Sequence, residues 1–73
     1  MSPEKMVMMA NQIATFFDSQ PSGQAEGVAG HINDFWEPRM RAQYLAHVEA
    51  GGAGLKPLAI EAAALVNAPS EDA

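Results

Sequence analysis

The spacing of the apolar residues is the feature of this sequence that most restricts its fold. Apolar side chains recur every three or four positions along almost the whole chain, and this is the period of an amphipathic helix. β-Branched residues are few and isolated, and no segment alternates with the period of two that a half-buried strand requires. The sequence therefore predicts an all-α fold, namely a small single-domain bundle of three to four short helices.

Turn-forming and helix-capping residues divide this pattern into four predicted helices. Ser2 and Ser22 are suited to cap the first two, because a serine oxygen accepts a hydrogen bond from a free amide of the first turn. Pro38 disfavours helical geometry at the preceding residue and is favourable at the first position of a helix, so a corner is expected there. Gly51 and Gly52 predict the end of the third helix. The expected helices span residues 3–18, 23–35, 38–50 and 55–67, within a helical domain over 1–67 that a frayed polar tail follows over 68–73.

Each predicted helix has one apolar face, and these faces together form the expected core. Successive residues turn by about 100° around the helix axis, so side chains three or four positions apart share a face. Met8 and Ile60 lie outside the core faces by this criterion, and we treat them as candidates for a partner surface. The expected core residues are Met6, Met9, Ala10, Ile13, Phe16, Phe17, Ala25, Val28, Ala29, Ile32, Phe35, Trp36, Met40, Tyr44, Leu45, Val48, Leu55, Leu58, Ala59, Ala62, Leu65 and Val66.

The size, charge and lack of cysteine restrict the classes of function open to the chain. A domain of 73 residues has a small core. Because the chain has no cysteine, neither a disulfide nor a thiolate-bound metal can stabilise that core, so stabilisation by another protein surface is expected. Nine acidic residues against four scattered basic ones, with a net charge of -5, argue against nucleic acids and anionic membranes as partners. No stretch approaches about 20 consecutive apolar residues and no signal-peptide pattern is present, so a cytoplasmic protein is expected.

Histidine, serine and carboxylate residues show no arrangement typical of an active site or a metal site. His31 and His47 lack a second ligand at the spacing of an HxxxH or HExxH motif. His31 is expected to cap or pair locally and His47 to lie at the edge of the core, with a partner contact as the alternative for each. The serines fall at predicted caps and loops, and GGAG at residues 51–54 lacks the lysine and serine of a phosphate-binding loop. We therefore expect no catalytic residue, no metal site and no cofactor in this chain.

Tryptophan and arginine, which occur together at the predicted corner, often carry the binding energy of protein interfaces. Trp36 completes the core face of the second helix, so burial is the first interpretation, but a corner in so small a domain is expected to leave it partly exposed. Arg41 lies at the edge of the core face of the third helix, and either Glu37 or Asp34 is an alternative, internal partner for it. Arg39 faces outward, and we expect Arg39→Ala to weaken association with a partner without unfolding the domain.

Three segments of the chain together carry a resemblance to a known family. They are ANQIATFF at residues 10–17, HINDFWEPRMR at 31–41, and the run from LAH at 45–47 through GGAG to Leu58. In this order and without obvious gaps, they resemble the delta subunit of cytoplasmic NAD-dependent formate dehydrogenases. Only the tail after Ala68 lies outside the resemblance. The family pattern extends to His31, Trp36, Pro38, Met40, Arg41, Leu45 and His47.

The resemblance implies an accessory role in a larger enzyme. Members of the family are small non-catalytic subunits of a molybdenum or tungsten enzyme that oxidises formate to carbon dioxide and passes electrons to NAD. In that assembly the alpha subunit holds a bis-pyranopterin guanine dinucleotide metal centre and iron–sulfur clusters, the beta subunit holds FMN and the NAD site, and the gamma subunit holds a further cluster. The resemblance thus implies that this chain binds the alpha subunit and supports its stability or cofactor loading.

Two other functions stay open on the sequence alone. The chain could be a transient maturation chaperone that leaves the alpha subunit once its cofactor is inserted. With the family set aside, it could also be a free-standing helical module that binds a target helix in a methionine-lined groove. The residues predicted to contact a partner are Trp36, Arg39, Arg41, Met8, Ile60 and His31.

Overall fold

Four α-helices follow one another in the part of the chain that the structure describes, which is residues 2–68 of a computed structural model. They are α1 (Pro3–Asp18), α2 (Gln24–Phe35), α3 (Pro38–Glu49) and α4 (Pro57–Ala62), and a 3-10 turn at Ala63–Leu65 continues α4. Residues 2–68 contain no strand, so the all-α prediction is confirmed. The predicted tail lies, apart from Ala68, outside the described residues.

Local backbone geometry sets where the first two helices begin. α1 begins as predicted, with Ser2 in an extended conformation and its Oγ accepting a hydrogen bond from the Lys5 amide at 3.2 Å. The prediction that Ser22 caps α2 is wrong. Gly23 precedes that helix instead, with a left-handed backbone at φ 68° and no side-chain cap. Glycine adopts this conformation without the steric cost of a side chain, so the turn into α2 depends on it.

The fourth helix is shorter than the apolar stripe predicted. Pro57 is its first residue, and Lys56 before it is extended, with φ -66° and ψ 152°. A proline restricts the preceding residue to this geometry, so the predicted start at Leu55 is wrong. After Ala62 the chain tightens into the 3-10 turn, and Val66 is extended with ψ 132°. The predicted helix over residues 55–67 is therefore a six-residue α-helix with a short turn at its end.

Two glycines end α3, as the sequence predicted. The helix stops at Glu49, and Gly51 and Gly52 both have positive φ, at 119° and 66°. The Gly52 amide donates to the His47 carbonyl at 2.9 Å, and the Gly51 amide donates to the Val48 carbonyl at 3.0 Å. These bonds satisfy carbonyl groups that have no partner within the helix, and they reverse the chain toward α4.

The core lies where α1, α2 and α4 meet, with one large residue from α3 inside it. Its largest fully buried side chains are Tyr44, Met6, Ile32 and Val28. Of the predicted core residues, three are wrong because their side chains are exposed: Phe16 (64%), Phe35 (73%) and Leu65 (48%). The buried faces of α1, α2 and α4 are rich in alanine, including Ala14 and Ala63, which the sequence analysis did not select. Small side chains let helix axes approach closely, which leaves little room between them for further large groups.

One aromatic side chain of α1 is seated on a glycine of α2. A Cβ atom added to Gly27 would lie 2.4 Å from Cε1 of Phe17, which is closer than any ordinary contact. Phe17 is partly buried against the core, and the edge of its ring meets Phe16 at a centroid distance of 5.0 Å. Gly27 thus provides the space that lets α1 and α2 pack around the Phe17 ring.

Tyr44 links α3 to α4 through the core. Its side chain is fully buried, its ring packs edge-on against Trp36 at a centroid distance of 5.8 Å, and its hydroxyl donates a hydrogen bond to the Ala59 carbonyl. Burial disfavours the charged phenolate and raises the pKa of Tyr44 from 10.0 to about 12. The neutral hydroxyl is the form that this packing requires.

We expect the domain to lose stability between pH 10 and 12 because of Tyr44. The folded-state pKa is the higher one, so the contribution is fully present below pH 10 and is lost as the unfolded chain ionises, by about 2 kcal/mol at pH 12. Urea unfolding at stepped pH measures the loss, and phenolate absorbance reports on Tyr44 alone because the chain has one tyrosine. The difference in unfolding free energy between wild type and a Tyr44→Phe control should become smaller above pH 10. A constant difference would contradict the assignment.

Candidate partner-binding surface

The corner between α2 and α3 is built around Trp36. Glu37 is extended, with ψ 160°, because Pro38 follows it as the first residue of α3, and Trp36 is also extended, with ψ 131°, so the predicted corner is confirmed. Trp36 is only 4% exposed and packs on Tyr44. The expectation of a partly exposed Trp36 is therefore wrong, since the corner folds α3 back so that the Tyr44 ring meets the indole. Contact between Trp36 and a partner stays a prediction.

Arg41 is a buried charged side chain next to this corner, with 7% of its surface exposed. Its Nη1 donates to the Trp36 carbonyl at 3.1 Å, and its Nε donates to the Asn67 carbonyl at 3.2 Å. The sequence left Glu37 or Asp34 open as internal partners, but these two hydrogen bonds go to main-chain oxygens. The Trp36 carbonyl lies at the C-terminal end of α2, where the helix dipole favours a cation. Arg41 thus ties the corner to the segment after α4.

Arg39 is exposed on the outer side of the same corner, as predicted. Together with Glu37 and Pro38 it lines an open depression of about 420 Å³. The two arginines therefore differ: Arg41 is buried beneath the corner, and Arg39 presents its side chain to solvent. Of the two, Arg39 is the one placed to reach a carboxylate on another protein.

His31 and Phe35 form an exposed aromatic pair on α2. They are one helical turn apart, and their rings lie 4.7 Å apart between centroids at an angle of 35°. This contact agrees with the expected local pairing of His31. Phe35 is 73% exposed, although the sequence placed it in the core with its neighbour Trp36. The pair is a compact aromatic feature on the surface, and its contact with a partner stays a prediction.

Met8 and Ile60 lie outside the core, as expected, with 52% and 38% of their side chains exposed. They line different depressions. Met8 belongs to an open one of about 520 Å³ along α1, together with Glu4 and Gln12. Ile60 belongs to a groove between α3 and α4, so the two residues do not form one patch.

The depression that Ile60 lines, called the α3–α4 groove, is an apolar groove of about 480 Å³ between these two helices. One wall comes from α3, the other from α4 and the 3-10 turn, and the far end from the segment that follows. Its lining residues are Leu45, Val48 and Glu49 on the first wall, Ile60, Ala63 and Ala64 on the second, and Val66 and Ala68 at the end. Of these residues, only Ile60 was predicted from the sequence as a surface candidate, because the apolar pattern of one helix does not show which face a second helix leaves open.

Two asparagines that the sequence analysis passed over hold these elements in place. Asn11 of α1 donates from Nδ2 to the Gly54 carbonyl at 2.9 Å and accepts from the Lys56 amide at Oδ1 at 2.8 Å. The Asn11 side chain therefore both donates to and accepts from the main chain, as the backbone of a neighbouring strand would. Asparagine is unfavourable inside a helix because its side chain competes for backbone hydrogen bonds. Its position within a predicted helix was the signal that could have marked this role.

Asn33 does the same at the other end of α4. Its Nδ2 donates to the Leu65 carbonyl at 3.2 Å, and its Oδ1 accepts from the Asn67 amide at 2.8 Å. The 3-10 turn and the residues after it are thereby fixed to α2. With Asn11 at the start of α4 and Asn33 at its end, both ends of the second groove wall are held by hydrogen bonds from the other helices.

Neither a metal-binding cluster nor a membrane helix occurs in the described part of the chain. Within residues 2–68, no three histidine, aspartate or glutamate side chains come together as a group that could hold a metal ion. None of the helices described above has both the length and the apolar character needed to cross a bilayer.

Comparison with protein families gives one match that spans most of the chain. The family model described as NADH-dependent formate dehydrogenase delta subunit FdsD matches residues 5–63. The match begins in the first turn of α1 and ends in the 3-10 turn, so it includes the corner, the α3 wall of the groove, and Ile60 and Ala63 of the second wall. No curated protein matches the sequence.

Proposed function

Because this chain belongs to the NADH-dependent formate dehydrogenase delta subunit family, we propose that it is a non-catalytic accessory subunit that binds the catalytic alpha subunit. In this role it supports the stability or the cofactor loading of alpha within a cytoplasmic complex that includes beta and gamma subunits. The molybdenum or tungsten centre, the iron–sulfur clusters and the FMN belong to the other subunits. The chain itself has no cysteine and so cannot supply a thiolate to a cluster.

The exposed apolar surface of the domain is the observation that carries this proposal. Within residues 2–68, five large apolar side chains are more than a third exposed: Met8, Phe16, Phe35, Ile60 and Leu65. Single exposed apolar residues need no explanation, but they are numerous for a domain of this size. A permanent partner would cover part of this surface and add stability that the small core lacks.

A transient chaperone for the alpha subunit is the second candidate. It would use the same surface and would dissociate after cofactor insertion. A free-standing module that binds a target helix is the third, and the α3–α4 groove is the feature that supports it. The three candidates differ in when the partner is bound, so stoichiometry in the active enzyme separates them.

We expect this chain to remain at one copy per alpha subunit when active formate dehydrogenase is purified by gel filtration. Its loss from fully active enzyme would favour the chaperone, and its absence from every fraction that contains alpha would contradict both the permanent subunit and the chaperone.

Deletion of the chain should lower NAD-linked formate oxidation. Loss of molybdenum or tungsten from the remaining complex would indicate a role in cofactor loading. Retained metal with faster inactivation would indicate stabilisation.

A further inference from the structure

The α3–α4 groove has the shape of a site for one helix. Its walls carry side chains at i, i+3 and i+4: Leu45, Val48 and Glu49 on α3, and Ile60, Ala63 and Ala64 on the opposite wall. The lining residues of α3 lie within positions 45–49, which span about 6 Å along the helix axis and match one to two turns of an incoming helix. The alanines on the second wall leave room for the backbone of that helix to approach within normal packing distance.

The groove is held open before any partner arrives. The Tyr44 hydroxyl donates to the Ala59 carbonyl and so sets the separation of α3 and α4. Asn11 and Asn33 fix the two ends of α4, as described above. A preorganised groove loses little conformational freedom on binding, so more of the contact energy contributes to affinity.

The charges around the groove indicate what kind of helix it accepts. Among its described lining residues none is basic, and Glu49 is the charged one. Glu61, directly after Ile60, is exposed as well. An apolar floor with acidic surroundings is complementary to a helix whose apolar stripe is flanked by lysine or arginine.

We infer that the α3–α4 groove binds a basic amphipathic helix of the alpha subunit. The apolar stripe of that helix packs between Leu45 and Ile60, and its flanking basic side chains face Glu49. This inference rests on the proposed function and deepens it by naming the surface and the chemistry of the partner segment. The alternative occupant, a second copy of this chain, supplies few basic residues, since the chain has only four lysines and arginines.

Binding of purified variants to tagged alpha subunit tests the apolar part of the inference. Ile60→Asp should weaken binding at least tenfold, whereas Ala42→Asp, at an exposed apolar residue of α3 outside the groove, should change it less than twofold. Circular dichroism of both variants should show the wild-type helix content. If wild type fails to bind alpha, the proposed function is wrong. If wild type binds and Ile60→Asp binds equally well, only the groove assignment is wrong.

Charge reversal tests the electrostatic part. Glu49→Lys should weaken binding about fivefold and reduce its dependence on salt, because a favourable charge pair is replaced by a repulsive one. Glu26→Lys on α2 makes the same change of net charge at an exposed site outside the groove and should leave binding within twofold of wild type. Equal effects of the two variants would show that only the overall charge matters, which would overturn the basic-helix assignment.

Cross-linking identifies the occupant directly. The chain has no cysteine, so Ala64→Cys introduces a single thiol in the groove, and a thiol-to-amine cross-linker joins it to a nearby lysine. We expect the product to contain an alpha-subunit segment with apolar residues at three- and four-residue spacing. A product with a second copy of this chain, or with a segment that lacks this pattern, would overturn the inference.

Discussion

Replacing Trp36 with alanine is expected to remove a large part of the folding stability of the isolated domain. Removal of a large buried aromatic side chain costs about 3–5 kcal/mol. A chain of this length has in total roughly 4–11 kcal/mol of stability, at about 0.05–0.15 kcal/mol per residue. Trp36 is 4% exposed and also supports the Tyr44 ring. Thermal unfolding followed by circular dichroism should show a Tm at least about 12 °C lower.

The neighbouring residue provides the control for this variant. Phe35 is 73% exposed, so Phe35→Ala should change the free energy of unfolding by no more than about 0.5 kcal/mol. Both variants truncate an aromatic side chain at the corner, and only the burial of that side chain differs. Similar losses of stability in the two variants would contradict the packing described for Trp36.

The second large effect is expected at Arg41. Arg41→Met keeps much of the side-chain volume but removes the donors to the Trp36 and Asn67 carbonyls. Hydrogen bonds from a charged group contribute about 1.5–3 kcal/mol each, and the buried Trp36 carbonyl, left without this donor, adds to the loss. We expect the unfolding free energy to fall by about 3 kcal/mol, which urea denaturation would show as a midpoint lower by roughly 2 M.

Arg39→Ala is the matched comparison, because Arg39 is exposed two residues earlier on the same helix. It should leave the urea midpoint within about 0.3 M of wild type while it weakens binding to the alpha subunit. Unchanged co-purification of Arg39→Ala with alpha would contradict a partner contact at this residue. A loss of stability equal to that of Arg41→Met would contradict the difference in burial between the two arginines.

Local signals explain why much of the fold could be predicted. Ser2 and Pro3 mark the start of α1, Pro38 marks the corner, and Gly51 and Gly52 mark the end of α3. Each of these residues acts on the backbone within a few positions of itself, through a cap, a fixed φ or a left-handed turn. Prediction failed at Leu55 for a similar local reason, since Pro57 excludes helical geometry at the residue before it and the apolar stripe concealed that boundary.

The candidate site was less predictable, because it depends on what lies opposite each helix. Phe35 and Trp36 fall on the same predicted face, yet one is exposed and the other is packed against Tyr44. Asn11 and Asn33 bond to residues more than 30 positions away along the chain. The period of one helix indicates the direction of its apolar side, but a face more than 100° wide includes residues that the neighbouring helices do not reach.

The sequence by itself determined an all-α chain with a proline corner, and it carried the resemblance that the family match confirms. These features lie in the order and spacing of residues along one chain. Only the tertiary structure decided that Trp36 and Arg41 are internal, that Arg39 and Phe35 are external, and that α3 and α4 leave an apolar groove between them. These outcomes depend on distances between separate helices. Alanine-rich contacts and five side-chain hydrogen bonds, two each from Asn11 and Asn33 and one from Tyr44, set these distances in the folded domain.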